Sequence, residues 1–207
     1  MNRKFISKSN RVLRKVLNSK ENLDILQDFI ETFLKIKIQE IELNPYLESK
    51  SNNLPSPENF GIADVRVKLQ NQEELNVGIQ FIDGKFAQNK MLLYYAQIHS
   101  NQLEYQDNRK MAKTVTINLL DFNYLKSENY FNKIVIPSKT EHQIELYVLE
   151  LPKFVPNREK LGDKQETWMM YLCGSQQTSI QEVLKQCDKI KKLDVLLEEY
   201  WENETME

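Results

Sequence analysis

The 207-residue chain is 41% hydrophobic and 10% aromatic, enough for one full core, and its net charge of −2 excludes a uniformly basic nucleic-acid binder. Two cysteines and two histidines exclude a disulfide framework and a zinc site: Cys173 and Cys187 lack zinc spacing, and His99 and His142 are the only imidazoles. No apolar run reaches the ~18 residues of a membrane span, and MNRKFISKSN is basic without an apolar centre, so a cytoplasmic protein with no membrane contact is expected.

The charge is uneven along the chain. Residues 1–20 carry Arg3, Lys4, Lys8, Arg11, Arg14, Lys15 and Lys20 without an acid, and residues 194–207 carry Asp194, Glu198, Glu199, Glu202, Glu204 and Glu207 without a base. A basic arm of this kind neutralises phosphates; equally, it is a solvated helix face balanced by the acidic tail. RVLRKVLN repeats Val12, Leu13, Val16 and Leu17 at a helical period, capped by Ser9 or Asn10. ENLDILQDFIETFLK follows as a second amphipathic helix through Leu23, Leu26, Phe29, Ile30, Phe33 and Leu34.

IKIQEIEL alternates Ile36 and Ile38 and then, after a slip of one residue, Ile41 and Leu43, which predicts a first strand ended by Asn44-Pro45. The Pro- and Gly-containing stretch ESKSNNLPSPENFG is a loop. Beyond the hairpin GIADVRVKLQNQEELNVGIQ, FAQNKMLLYYAQIHSNQLEY is long enough for a helix crossing a sheet. TVTINLLDF, YFNKIVIP and HQIELYVLELPKF are strands, the last two stopped by prolines. From Asn157 onward the pattern is helical, with Trp168 and Met169 in the core and a C-terminal helix from Ile180 to Trp201 whose acidic end suits association. The order predicts an α/β (α+β) fold, a mixed sheet wrapped by helices, with a domain over 1–156 and C-terminal helices over 157–207 packed on it or extending from it.

Within the hairpin, Asp64, Arg66 and Lys68 alternate against Val65, Val67 and Leu69, and Asn76, Gly78 and Gln80 alternate against Leu75, Val77, Ile79 and Phe81. If both apolar faces seek the core, the polar faces coincide. That requires an odd loop of three or five residues around Gln72 and gathers Asp64, Gly78, Gln80 and Arg66 in one surface patch. One carboxylate, an amide and an arginine make a poor Mg²⁺ site, because that ion takes oxygen ligands in octahedral array, with one or two carboxylates among them.

Residues 8 to about 175 resemble the recombination-promoting nuclease (transposase) family of the PD-(D/E)XK nuclease superfamily. The resemblance rests on an ordered series: NRVLRKVLNSKENLDIL as the opening helix pair, GIADVRVKL with Asp64, NVGIQ as the strand that in active members reads Glu-x-Gln, NKMLLYYAQIHSNQL as the long helix, then TVTINLLDF, YVLELPKF and the TWMMYL helix. It implies an αβββαβ core, hydrolysis of DNA phosphodiesters with Mg²⁺, and a link to recombination or mobile DNA. By resemblance, Asp64 is the metal-binding aspartate and Gln80 replaces the superfamily lysine and orients the attacking water. Lys90, Tyr94, Gln97 and Asn101 share one helix face toward the phosphate, with Arg11, Arg14, Lys15 and Arg66 as further DNA contacts. The expected partners are DNA and a second copy or a related nuclease subunit.

The sequence departs from the family pattern at three places. Gly78 replaces the glutamate, Asn10 stands where the opening helix has aspartate, and Lys90 replaces arginine without its bidentate phosphate contact. The expectation is therefore a degenerate metal site. The alternatives are an active endonuclease with a migrated carboxylate, for which Asp83, Asp24, Asp28 and Glu31 are candidates, and a catalytically dead regulator that binds protein.

Overall fold

The computed structural model describes residues 12–44, 61–82, 84, 86–105, 111–137, 144–174 and 180–204. Asn10, Arg11, Asp83 and His142 lie outside the described residues.

A short helix over 12–17 (α1) leads through a 3-10 turn, Lys20–Asn22, into α2, Leu23–Leu34. The buried Asn22 holds the corner by donating its Nδ2 to the Val16 carbonyl at 2.8 Å. Lys35 ends α2 in the left-handed conformation (φ 56°), its N–H bonded to Glu31 O.

Six strands follow: β1 (Ile38–Leu43), β2 (Ala63–Leu69), β3 (Glu74–Ile82), β4 (Lys113–Leu120), β5 (Phe131–Ile136) and β6 (Ile144–Glu150). They form one mixed sheet in the order β1-β2-β3-β4-β6-β5, with β3, β4 and β6 parallel and the other pairs antiparallel. α3 (Ala87–Tyr105) connects β3 to β4, as a parallel crossover requires. The run α2-β1-β2-β3-α3-β4 is thus the αβββαβ order that the resemblance implies, on an α/β mixed sheet. The slip in the first strand is a register shift between Ile38 and Glu40.

The two sheet faces differ in chemistry. Val65, Val67, Leu75, Val77, Ile79, Ile117 and Leu119 pack against α1, α2 and the C-terminal helices. The opposite face, under α3, carries Ile82, Leu120, Leu146 and Val148 against Ala87, Met91 and Tyr95, together with the polar residues of the hairpin.

The C-terminal part divides into α4 (Lys164–Cys173), α5 (Ile180–Leu184) and α6 (Asp188–Glu204). The single helix expected from Ile180 to Trp201 is therefore two. The chain turns at 185–186, and the Cys187 sulfur then faces the amides of Lys189 and Ile190 at the start of α6, a local cap that the apolar period does not register. Trp168 and Met169 are core residues, with the Trp168 ring edge-on to Phe29 at 5.2 Å. Trp168 Nε1 donates to Asp28 Oδ2 at 2.9 Å, and Lys189 and Lys192 on α6 clamp Asp24, each at 2.8 Å. An apolar hollow of about 40 Å³ remains between α1, α2, α4, α6 and the sheet, lined by Leu13, Phe29, Ile79, Trp168, Leu172 and Leu193 among others.

Candidate active site

The β2–β3 loop sets the register of the site. Leu69 N–H bonds to Glu73 O and Gln72 N–H to Leu69 O, and Gln72 takes φ 67°, so three residues, 70–72, make the turn. The ladder then places Asp64 opposite Gly78, Arg66 opposite Asn76 and Lys68 opposite Glu74, and the polar faces coincide as the alternation requires.

That face is not a surface patch, which corrects the expectation. α3 covers β3 and β4 on this side, and Asp64 (5% exposed), Asn76 (2%) and Gln80 (1%) are buried beneath it. A strand buried on both faces need not be polar on either, so alternation reported the register but not which face meets water.

Asp64 accepts from Asn44 Nδ2 at 2.6 Å, and the same nitrogen reaches Asn76 Oδ1 at 3.3 Å. Asn44 N–H also extends the β1–β2 ladder to Asp64 O at 3.1 Å, which holds the amide side chain over the carboxylate. An amide donor thus occupies the coordination side of Asp64. Burial pushes the Asp64 carboxyl up to about 7, with the Asn44 hydrogen bond pulling the other way.

The room for a second ligand is filled. A Cβ on Gly78 would lie 2.0 Å from Ile98 Cδ1 and 2.9 Å from Tyr94 Cε1, while a Cβ on Gly61 would lie 2.5 Å from Tyr94 Oη. The Tyr94 ring therefore lies across two glycines, and its hydroxyl donates to Ala63 O (3.0 Å) and Ile79 O (3.3 Å). Burial raises the Tyr94 phenol above its ordinary range, the Asp64 charge adds to this, and Arg14 opposes it. The glycine pair is what lets an aromatic side chain approach the backbone so closely.

Gln80 donates Nε2 to Asn118 Oδ1 at 2.6 Å, and Asn118 Nδ2 passes on to the Tyr147 carbonyl (2.9 Å) and Thr116 Oγ1 (3.1 Å). Farther along, Gln102 exchanges both amide atoms with the Ala112 backbone at 2.8 and 3.1 Å and pins the end of α3 to the start of β4. His99 Nδ1 lies 3.0 Å from Thr114 Oγ1 and its ring stacks on Tyr95.

The remaining expected site residues are dispersed. Of the four α3 residues placed on one face toward a phosphate, Tyr94 is buried against the hairpin, whereas Lys90, Gln97 and Asn101 are half-buried. Arg66 pairs with Glu74 in a charged depression of about 180 Å³ that Glu40, Glu42 and Lys68 also line. Lys15 lies over the Tyr200 ring of α6 at 5.0 Å, so part of the basic arm meets the acidic tail in the same molecule. Asp24 and Asp28 are tied to lysines of α6 and α4 on the far side of the sheet from Asp64, and Glu31 accepts the Ile38 N–H.

Mg²⁺ does not fit these residues. It takes several oxygen ligands, usually with one or two carboxylates among them. Among the described residues, the side chain bonded to Asp64 is the Asn44 amide rather than a second carboxylate, and no three His, Cys, Asp or Glu converge. No helix among the described residues is long and apolar enough to cross a membrane.

Three residues important to this site stand outside the sequence expectations: Asn44, Ile98 and Asn118. The sequence shows Asn44 as the end of a strand, Ile98 as an ordinary core position and Asn118 as the polar half of an alternation. Gly78 was the one available signal, since a strand glycine marks a close approach.

A family model for the PD-(D/E)XK nuclease family transposases matches residues 10–206. Comparison with curated proteins and with solved structures found no match.

Proposed function

The chain belongs to the PD-(D/E)XK nuclease family transposases, and from that premise we propose that it is a DNA-directed nuclease-fold protein whose metal site does not support phosphodiester cleavage. One observation carries the reading: the volume facing Asp64 that a glutamate at position 78 would fill belongs to Ile98 and Tyr94. The hydrogen bond from Asn44 supports it, because an N–H aimed at the carboxylate opposes a cation there. On this reading Asp64 and Gln80 keep their strand positions and serve packing, and Arg14, Lys15 and Lys90 remain the DNA-contact candidates.

Supercoiled-plasmid nicking with Mg²⁺ or Mn²⁺ tests the cleavage half. Wild type, Asp64→Ala and Gly78→Glu are expected to be inert, whereas Gly78→Glu combined with Ile98→Ala, which opens space for the new side chain, recovers partial nicking. Robust wild-type nicking that Asp64→Ala abolishes overturns the proposal. Fluorescence anisotropy with a labelled duplex across a salt series tests the DNA half. Affinity should fall with salt, and Arg14→Ala with Lys15→Ala should flatten that slope. No binding at low salt removes DNA from the reading.

A further inference from the structure

α6 separates its charges along its length. Its first turns carry Lys189, Lys191 and Lys192, of which Lys189 and Lys192 hold Asp24 of α2. From residue 193 to its end it carries acids and no base, with Glu198, Glu199 and Glu202 exposed. A helix ends on the negative pole of its dipole, where carboxylates are disfavoured and cations favoured. The acids therefore stand where the helix itself gains nothing from them. Buried Leu193 and Leu197 fix this end in the core, and Asp194 accepts from Tyr171 Oη at 3.0 Å. The neighbour it meets is α1, whose Lys15 Nζ lies 5.0 Å from the centre of the Tyr200 ring. Glu198, Glu199 and Glu202 are no more than two residues from Tyr200, about 3 Å along the helix axis. Their combined field falls on Lys15 at separations comparable to the ~10 Å screening length of 0.1 M salt.

On the premise that α1 belongs to the DNA-directed surface, we propose that the acidic end of α6 is an autoinhibitory contact, an internal anion that competes with backbone phosphates for Lys15. A phosphate approaching Lys15, or Arg14 beside it, meets the same three carboxylates, so binding must first overcome their repulsion. Both effects are Coulombic and fade as salt screens them. Removing the carboxylates leaves Lys15 to the phosphates, and one more neutralised phosphate steepens the salt dependence of binding. Acids that served only to set the net charge of the molecule would act equally from any exposed position.

Fluorescence anisotropy with a labelled duplex, from about 50 mM to about 500 mM salt, tests this on three full-length proteins. Wild type is compared with Glu198→Gln/Glu199→Gln/Glu202→Gln, and with Glu73→Gln/Glu128→Gln/Glu159→Gln, which changes net charge equally at exposed positions outside α6. Glutamine matches glutamate in helix propensity, so α6 keeps its fold. The α6 variant should bind about three- to tenfold more tightly at low salt, on a steeper salt slope that closes the gap at high salt. The control should gain less than about twofold. Lys15→Ala should cost more affinity in the α6 variant than in wild type, because only there is the ammonium given over to phosphate. Equal gains from both triple variants, no gain from the α6 variant, or the same Lys15→Ala cost in both backgrounds overturns the autoinhibitory contact while DNA binding stands. Absence of binding by every one of these proteins at low salt overturns the DNA-directed reading and the contact with it.

Discussion

Ile98 on α3 and Gly78 on β3 form one complementary pair: the δ-methyl of the isoleucine lies where the glycine's first side-chain carbon would be, 2.0 Å from its ideal position. Ile98 is 1% exposed, so the methyl can move only by displacing neighbours. Gly78→Ala is therefore expected to destabilise by about 1–3 kcal/mol through overpacking. Ile98→Ala alone should cost about 2–5 kcal/mol through the cavity it leaves. The double variant should be more stable than the sum of the two costs predicts, by about 0.5–3 kcal/mol. Urea unfolding of the four proteins measures this coupling, and strict additivity would show that the two side chains do not compete for space.

Asp64 gives the fold a pH dependence of definite sign. Its carboxyl titrates near 7 in the folded chain against 3.8 for the free group, so the native state holds the proton more tightly than the unfolded state. Stability from this group is complete below the unfolded value and is lost as pH rises through about 7, to a limit of roughly 4 kcal/mol. Asp64→Asn removes the dependence and keeps an oxygen to accept from Asn44. Its melting temperature relative to wild type should climb between pH 5 and pH 8 by several degrees, at about 2–4 °C per kcal/mol. A difference that does not vary with pH would place the Asp64 carboxylate in a more polar setting.

The ELPK stretch is a staple between two loops. Glu150, fully buried, accepts from the Leu125 amide at 3.0 Å and pairs with Lys153 at 2.9 Å, and Lys153 donates to the carbonyls of Leu125 and Ser127. Lys153→Met leaves a buried carboxylate without its countercharge and is expected to cost about 3–5 kcal/mol. Chemical denaturation measures it. A cost below about 1 kcal/mol would mean that backbone amides alone hold Glu150.

The C-terminal helices supply core. Trp168, Met169, Met170, Val183, Ile190, Leu193 and Leu197 are buried in one cluster with α1, α2 and the sheet. Seven such side chains at about 1.5–3 kcal/mol each amount to roughly 10–20 kcal/mol, as much as the whole stability of a typical domain. A chain ending at residue 156 should show no cooperative thermal transition by circular dichroism. A sharp transition near the full-length temperature would make residues 157–207 an independent extension.

The fold was legible where the signal is periodic. The alternation of Asp64, Arg66 and Lys68 against Val65, Val67 and Leu69 contained the coincidence of the polar faces and an odd turn of three or five residues near Gln72, of which the structure has three, and the slip between Ile38 and Ile41 contained the bulge. What stayed illegible depends on which element lands on which. Ile98 reads as any buried helix residue until α3 is laid over β3, and Asn44 reads as a strand terminator until β1 is set beside β2. The Leu151–Phe154 segment looked like a proline stop, since nothing local reveals that Lys153 reaches the carbonyls of a loop 26 and 28 residues away. The same limit applies to the charges: the sequence shows a basic beginning and an acidic end, and the stacking of Lys15 on Tyr200 follows only from how α1 and α6 pack.

The apolar hollow beside Leu13, Trp168 and Leu193 has a mechanical consequence. Its lining offers water no hydrogen-bond partner, so it stays dry, and the space disappears when the helices part. Loss of this void lowers the volume of the unfolded molecule, so hydrostatic pressure favours parting of the helices that line it.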